Sequence, residues 1–148
     1  MRTARGVGPR RRERPGRTPR WALVARYGRG RRLRAIALTA DGVEIDTRRD
    51  GVALPWGHVL AVRSHGPEHA DGRPRRVALD VVDVPVTPLV EHLTAGPPGR
   101  PDGVRTLVLP TAGLDTDPSL LLAALDHYVE LPGARTGLSG HDWSAGPP

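Results

Sequence analysis

Residues 33–54 read LRAIALTADGVEIDTRRDGVAL, and the fold depends on how this stretch is parsed. Two Asp-Gly pairs, at 41–42 and 50–51, separate three short runs. Val43-Glu44-Ile45-Asp46-Thr47 alternates, with Val43 and Ile45 on one face and Glu44 and Asp46 on the other, which is the period of a half-buried strand. Leu33–Thr39 runs into the first pair, and Val52-Ala53-Leu54 leaves the second. Asp-Gly suits a hairpin turn because glycine takes positive φ freely and aspartate tolerates it. The stretch therefore predicts three antiparallel strands joined by two tight turns.

The same grammar continues outward. Val59–Ser64 predicts a strand with Leu60 and Val62 on one face. Residues 65–74 (HGPEHADGRP) form a loop holding the third Asp-Gly pair. Arg76–Val84 sets Val77, Leu79 and Val81 opposite Arg76, Ala78 and Asp80. Residues 85–103 are a long connection ending at the fourth Asp-Gly pair, with six Pro or Gly between Gly96 and Gly103 and a short helical turn predicted at Pro88–Thr94. Arg105–Leu109 returns to strand, with Leu107 and Leu109 facing one way. The period then changes. Asp117 suits an N-cap and Pro118 the first helical position. Leu121, Leu122, Leu125, Tyr128 and Val129 make one apolar stripe at helical spacing. Pro132-Gly133 ends the element, so the pattern predicts a helix over about 117–131.

The fold class that follows is mainly β with one C-terminal α-helix. About six short strands form an antiparallel meander, bent into a barrel or paired sheets, and the helix caps it. Composition agrees. Gly and Pro fill 34 of 148 positions and aromatics only 3%, which argues against a helical bundle or a large layered enzyme. With no Cys in the chain, disulfides, thiolate metal sites and a cysteine nucleophile are excluded.

Charge is divided along the chain. Residues 1–34 carry thirteen Arg against one acid, a net +12, and residues 35–148 carry nine Arg against fifteen acids, a net −6. Residues 1–20, rich in Arg and interrupted by Pro9, Pro15 and Pro19, predict a disordered arm, because they cannot bury enough apolar surface to offset ordering entropy. Residues 21–138 form the folded domain, and 139–148 a flexible tail. All 22 basic residues are Arg, and Lys, Asn, Gln and Phe are absent, a bias that predicts a high-GC bacterial source. The basic start lacks the apolar run of a signal peptide, and no stretch approaches the length of a membrane span. A cytoplasmic protein is expected.

Three segments resemble the bacterial pleckstrin-homology-like domains: Leu38-Thr39-Ala40-Asp41-Gly42-Val43 as a hairpin, Leu54-Pro55-Trp56 followed by the strand Val59–Val62, and the closing helix Asp117-Pro118 through Leu121, Leu125 and Tyr128. The resemblance spans residues 33–138. It implies a strongly bent antiparallel barrel capped at one end by the helix, and a binding or scaffold role without catalysis or a cofactor. Members of that family that hold phosphoinositides use basic residues around the first hairpin loop. With the first hairpin at Thr39-Ala40-Asp41-Gly42, that loop is short and acidic, which departs from the pattern.

The candidate binding residues follow. Trp56 is a core or rim residue of the barrel, and on the rim beside Pro55 it could anchor a protein partner. Arg48 and Arg49 mark the second turn as a partner-binding edge. Arg10, Arg11, Arg12, Arg29, Arg31 and Arg32 form an anion-binding arm, suited to phosphates of nucleic acid or of lipid headgroups, so peripheral membrane contact stays open. An arm engaging about six phosphates would show a log–log salt slope near −5. A solvated, codon-biased tail competes with that reading. Trp21 and Tyr27, among Arg20, Arg26 and Arg29, fit an outer strand with ordinary cation–π contacts better than a base-stacking edge. His65, His69 and Asp71 could gather a metal in a loop, but Gly66 and Pro67 break the helix a zincin motif needs. Asp80 with Asp83, and Asp115 with Asp117, are better read as strand-edge and helix-start carboxylates than as acid–base pairs. No nucleophile elbow, P-loop or dinucleotide fingerprint is present. A non-enzymatic binding module contacting a protein partner is the leading expectation, and nucleic-acid association through the arm the alternative.

Overall fold

The computed structural model describes residues 21–96 and 103–135. The arm at 1–20, with Arg10, Arg11 and Arg12, and the tail at 139–148 lie outside them. Strands β1 (Trp21–Arg26), β2 (Leu33–Thr39), β3 (Gly42–Thr47) and β4 (Gly51–Pro55) pair in that order as an antiparallel sheet. A 3-10 turn at Trp56–His58 carries the chain into a second antiparallel sheet. Its order is β5 (Val59–Ser64), β6 (Arg76–Val81), β8 (Arg105–Pro110) and β7 (Thr94–Ala95). Helix α1 (Pro88–Leu93) precedes β7, and helix α2 (Pro118–Glu130) follows β8.

The alternating runs face as read. Val43 and Ile45 of β3, Val52 and Leu54 of β4, and Val77, Leu79 and Val81 of β6 are buried in one core with Leu107 and Leu109 of β8. On the outer face of the second sheet, Asp80 accepts a hydrogen bond from the Thr106 hydroxyl (2.6 Å) and pairs with Arg63. Asp80 is thus part of a cross-strand polar row spanning β5, β6 and β8.

Both helices open on a side-chain cap, and that of α2 is the one read from the sequence. The Asp117 carboxylate accepts from the Ser119 amide at 2.9 Å, with Pro118 in the first turn. Thr87 accepts from Val90 N at 3.1 Å and opens α1. Helix α2 packs mainly against β5 and also touches β1, burying Leu121, Ala124, Leu125 and Tyr128.

Of the two closures read from the sequence, the paired sheets form, while the strand number, the facing of β5 and the Asp-Gly turns differ from their readings. Strand β1 makes the first sheet four-stranded, and the short β7 joins the second, so eight strands replace about six. Among the described residues the sheets do not close into a barrel. Pro55 lacks an N–H to extend the ladder, and the 3-10 turn that follows redirects the chain, so β4 and β5 fall in different sheets. The other seam is joined by a short Tyr27–Leu114 bridge, by bonds from Gly28 N to Gly113 O and from Asp115 N to Arg26 O, and by those from Arg26 N to the Asp115 carboxylate and from the Tyr27 hydroxyl to Pro110 O. In β5 the register shifts between Val59 and Ala61; Val59 turns inward and Leu60 is left 51% exposed.

Gly72 and Gly103 do take positive φ, but Gly42 and Gly51 do not. Gly42 is needed for close approach instead: a Cβ there would stand 2.0 Å from the Leu54 carbonyl oxygen across the β3–β4 ladder.

Candidate anion-binding groove

Because β1 precedes β2, the first hairpin loop is not Thr39–Gly42. It is the connection over residues 27–32, Tyr27-Gly28-Arg29-Gly30-Arg31-Arg32, and it is strongly basic. Gly30 takes φ +80°, a backbone shape that glycine adopts without strain. The loop that had seemed to depart from the phosphate-binding pattern is therefore the second one.

The β3–β4 loop is built to hold its shape. Thr47 N donates to Asp50 O at 2.8 Å, and the Thr47 hydroxyl accepts from the amides of Arg49 and Asp50 at 3.1 and 3.0 Å. That hydroxyl also meets the Asp50 carboxylate at 2.6 Å. These bonds leave the side chains of Arg48 and Arg49 exposed to solvent.

The two basic loops share one groove. Arg31, Arg32, Arg48 and Arg49 line an open cavity of about 510 Å³ together with Thr47 and Asp50, and Pro88 and Leu89 of α1 contribute an apolar wall. Asp50 is the only carboxylate among these lining residues. Among the described residues, none of the four guanidiniums takes part in an ion pair. Four cations with one carboxylate among the lining residues make a site for an acidic group, and the planar fork of arginine matches carboxylate or phosphate in two-bond geometry. Arg29 stands on the same loop but does not line the cavity.

A second cavity of about 230 Å³ adjoins the first through Arg31 and Arg32, and is bounded by Tyr27, Leu33, His92, Leu93, Pro110 and Ala112 among others. The half-buried Tyr27 hydroxyl donates to the Pro110 carbonyl at 2.6 Å. Burial pushes the phenol's pKa well above its ordinary value, because the phenolate would lose its water. Tyr27 is thus a neutral strut between β1 and the end of β8.

Trp56 is a core residue, the first of the two places read for it. It is 3% exposed. Its indole N–H donates to the Thr39 carbonyl at 2.9 Å, its ring lies 5.8 Å from that of Tyr128, and the Arg135 guanidinium sits 5.4 Å from its centroid. Arg135 is held there by a 2.7 Å bond from Nε to the Tyr128 carbonyl.

Among the described residues, no three His, Asp or Glu side chains converge as a metal site would need. His69 accepts at its carbonyl from Gly72 and donates from its amide to Arg73 O, while Asp71 pairs with Arg73. These contacts make that segment a self-contained turn.

Pro88 and Leu89, read only as a helix start, form the groove's apolar wall. Their role depends on the chain path after β6, which no local pattern encodes. Comparison with family models, with curated proteins and with solved structures finds no significant match to this chain. Among the described residues no helix is long and apolar enough to cross a membrane.

Proposed function

We propose that the chain is a non-enzymatic, pleckstrin-homology-like binding module of the cytoplasm, and that its arginine groove takes hold of an acidic segment of a protein partner. One observation carries this: two separate loops bring Arg31, Arg32, Arg48 and Arg49 around a single cavity with one carboxylate. A protein ligand suits the groove better than nucleic acid. Its wall is the aliphatic surface of Pro88 and Leu89, and among the described residues no aromatic ring lines it to stack a base. The order of elements, with two antiparallel sheets followed by a helix, supports the family resemblance.

A second reading rests on the +12 charge of residues 1–34, in which Arg10, Arg11 and Arg12 act with Arg29, Arg31 and Arg32 on nucleic acid. Fluorescence anisotropy separates the two. A labelled deca-glutamate peptide and a single-stranded oligonucleotide of equal charge are titrated against the full chain over a salt series starting at about 50 mM. The peptide is expected to bind, to weaken as salt rises, and to weaken again in the Arg48→Ala/Arg49→Ala variant, which touches the groove and none of the arm's arginines. Tighter oligonucleotide binding that ignores those substitutions would favour the second reading. Binding of neither probe at the lowest salt would overturn both.

A further inference from the structure

Arg31 and Arg32 line both cavities, and the side chain of Arg31 lies against the backbone of Gly113. A Cβ on Gly113 would stand 2.7 Å from Arg31 Nε and 3.3 Å from both its Cγ and Cζ. The guanidinium and its stem therefore occupy the space that any side chain at position 113 would fill. The contact is anchored at both ends. Gly113 O accepts from Gly28 N at 2.9 Å, and Arg31 N closes the turn onto Gly28 O at 3.4 Å. Beside it, Asp115 holds β1 twice, accepting from Arg26 N at its carboxylate (2.8 Å) and donating from its own amide to Arg26 O (2.9 Å). Gly113 has φ +86°, so its backbone shape as well as its missing side chain calls for glycine.

We propose that Gly113 is a positioning residue that seats Arg31 between the two cavities, and that this makes Arg31 the dominant cation of the groove. The inference rests on the groove reading above. Its physical basis is pre-organisation: an arginine already confined loses less rotamer freedom when an anion arrives than one waving in water. Both side chains are exposed, but Arg49 lies against none of the described glycines and so loses more.

The test uses the full chain and the deca-glutamate probe at low salt, read beside a signal that needs no ligand. That signal is the {1H}–15N heteronuclear NOE of the arginine Nε–H groups, which reports fast motion of each guanidinium stem. In the wild type, the Arg31 value is expected to lie clearly above that of Arg49. Gly113→Ala is expected to lower it toward the Arg49 value and to weaken peptide binding about threefold to tenfold, the range expected for releasing one long side chain. Gly72→Ala is the strain control. It has φ +83° with nothing within 4 Å, so it carries similar backbone strain without touching the groove. It should lower the melting temperature comparably and leave binding within about twofold.

In the Arg31→Ala background, adding Gly113→Ala should change binding no further. Equal NOE values for Arg31 and Arg49 in the wild type would overturn the seat directly, with no ligand involved. Equal losses for Gly113→Ala and Gly72→Ala would overturn it as well. A wild type that ignores the peptide, with the NOE difference intact, would instead remove the groove's function and with it the role of Arg31 in binding.

Discussion

Gly42 leaves no room for a side chain in the first sheet. With 2.0 Å between a hypothetical Cβ and the Leu54 carbonyl oxygen, neither strand can yield without breaking ladder bonds. Gly42→Ala is expected to cost about 1–3 kcal/mol, the usual range for overpacking, read as a fall in the urea midpoint with an unchanged m-value. Tyr27 makes a prediction in pH. Its folded pKa is raised above the ordinary 10.0, so the native state holds the phenolic proton more tightly than the unfolded chain. The stability this contributes is complete below about pH 10 and is lost as pH rises through the alkaline range. Urea melts of the wild type should weaken above pH 10, and Tyr27→Phe should flatten that decline. An equally steep fall in the variant would assign the alkaline loss to other groups.

At the scale of elements, α2 carries much of the domain. Leu121, Leu125 and Tyr128 are essentially fully buried beneath it. Their removal from water is worth about 5–9 kcal/mol before entropy, comparable to the net stability of a whole domain, about 5–15 kcal/mol. A chain ended before Asp117 should therefore lose its cooperative thermal transition; a melt near the full-length temperature would show that the sheets stand alone. The cap can be tested more gently. Asp117→Ala removes the acceptor for the Ser119 amide and should cost about 1 kcal/mol. Calorimetry should find a lower melting temperature with the same β content by circular dichroism.

For the whole molecule, charge is arranged by fold as well as by chain order. The groove draws Arg31 and Arg32 from the basic first part and Arg48 and Arg49 from the acidic remainder. Its attraction for an anion is a surface effect and should fall steeply with salt. Replacing all four arginines by alanine should abolish peptide binding while leaving the melting temperature within a few degrees, since these side chains are exposed. A large fall in stability would mean that the cluster is structural.

The alternation of Val43 through Thr47, the stripe from Leu121 to Val129 and the Asp117-Pro118 start were enough to specify mainly β architecture with one terminal helix, because burial periodicity and capping are local. Local signals also misled. Asp-Gly at 41–42 looked like a positive-φ turn, yet its glycine answers to a carbonyl on the next strand. Leu60 looked buried until a bulge turned it outward. Trp56 could be core or rim on sequence alone, and only packing against Tyr128 placed it inside. The meeting of Arg31 and Arg32 with Arg48 and Arg49, and the seating of Arg31 on Gly113, were decided by tertiary structure alone. Each depends on sheet order and on the path after β8, which arise from burial summed over the whole chain and leave no mark on the residues they bring together.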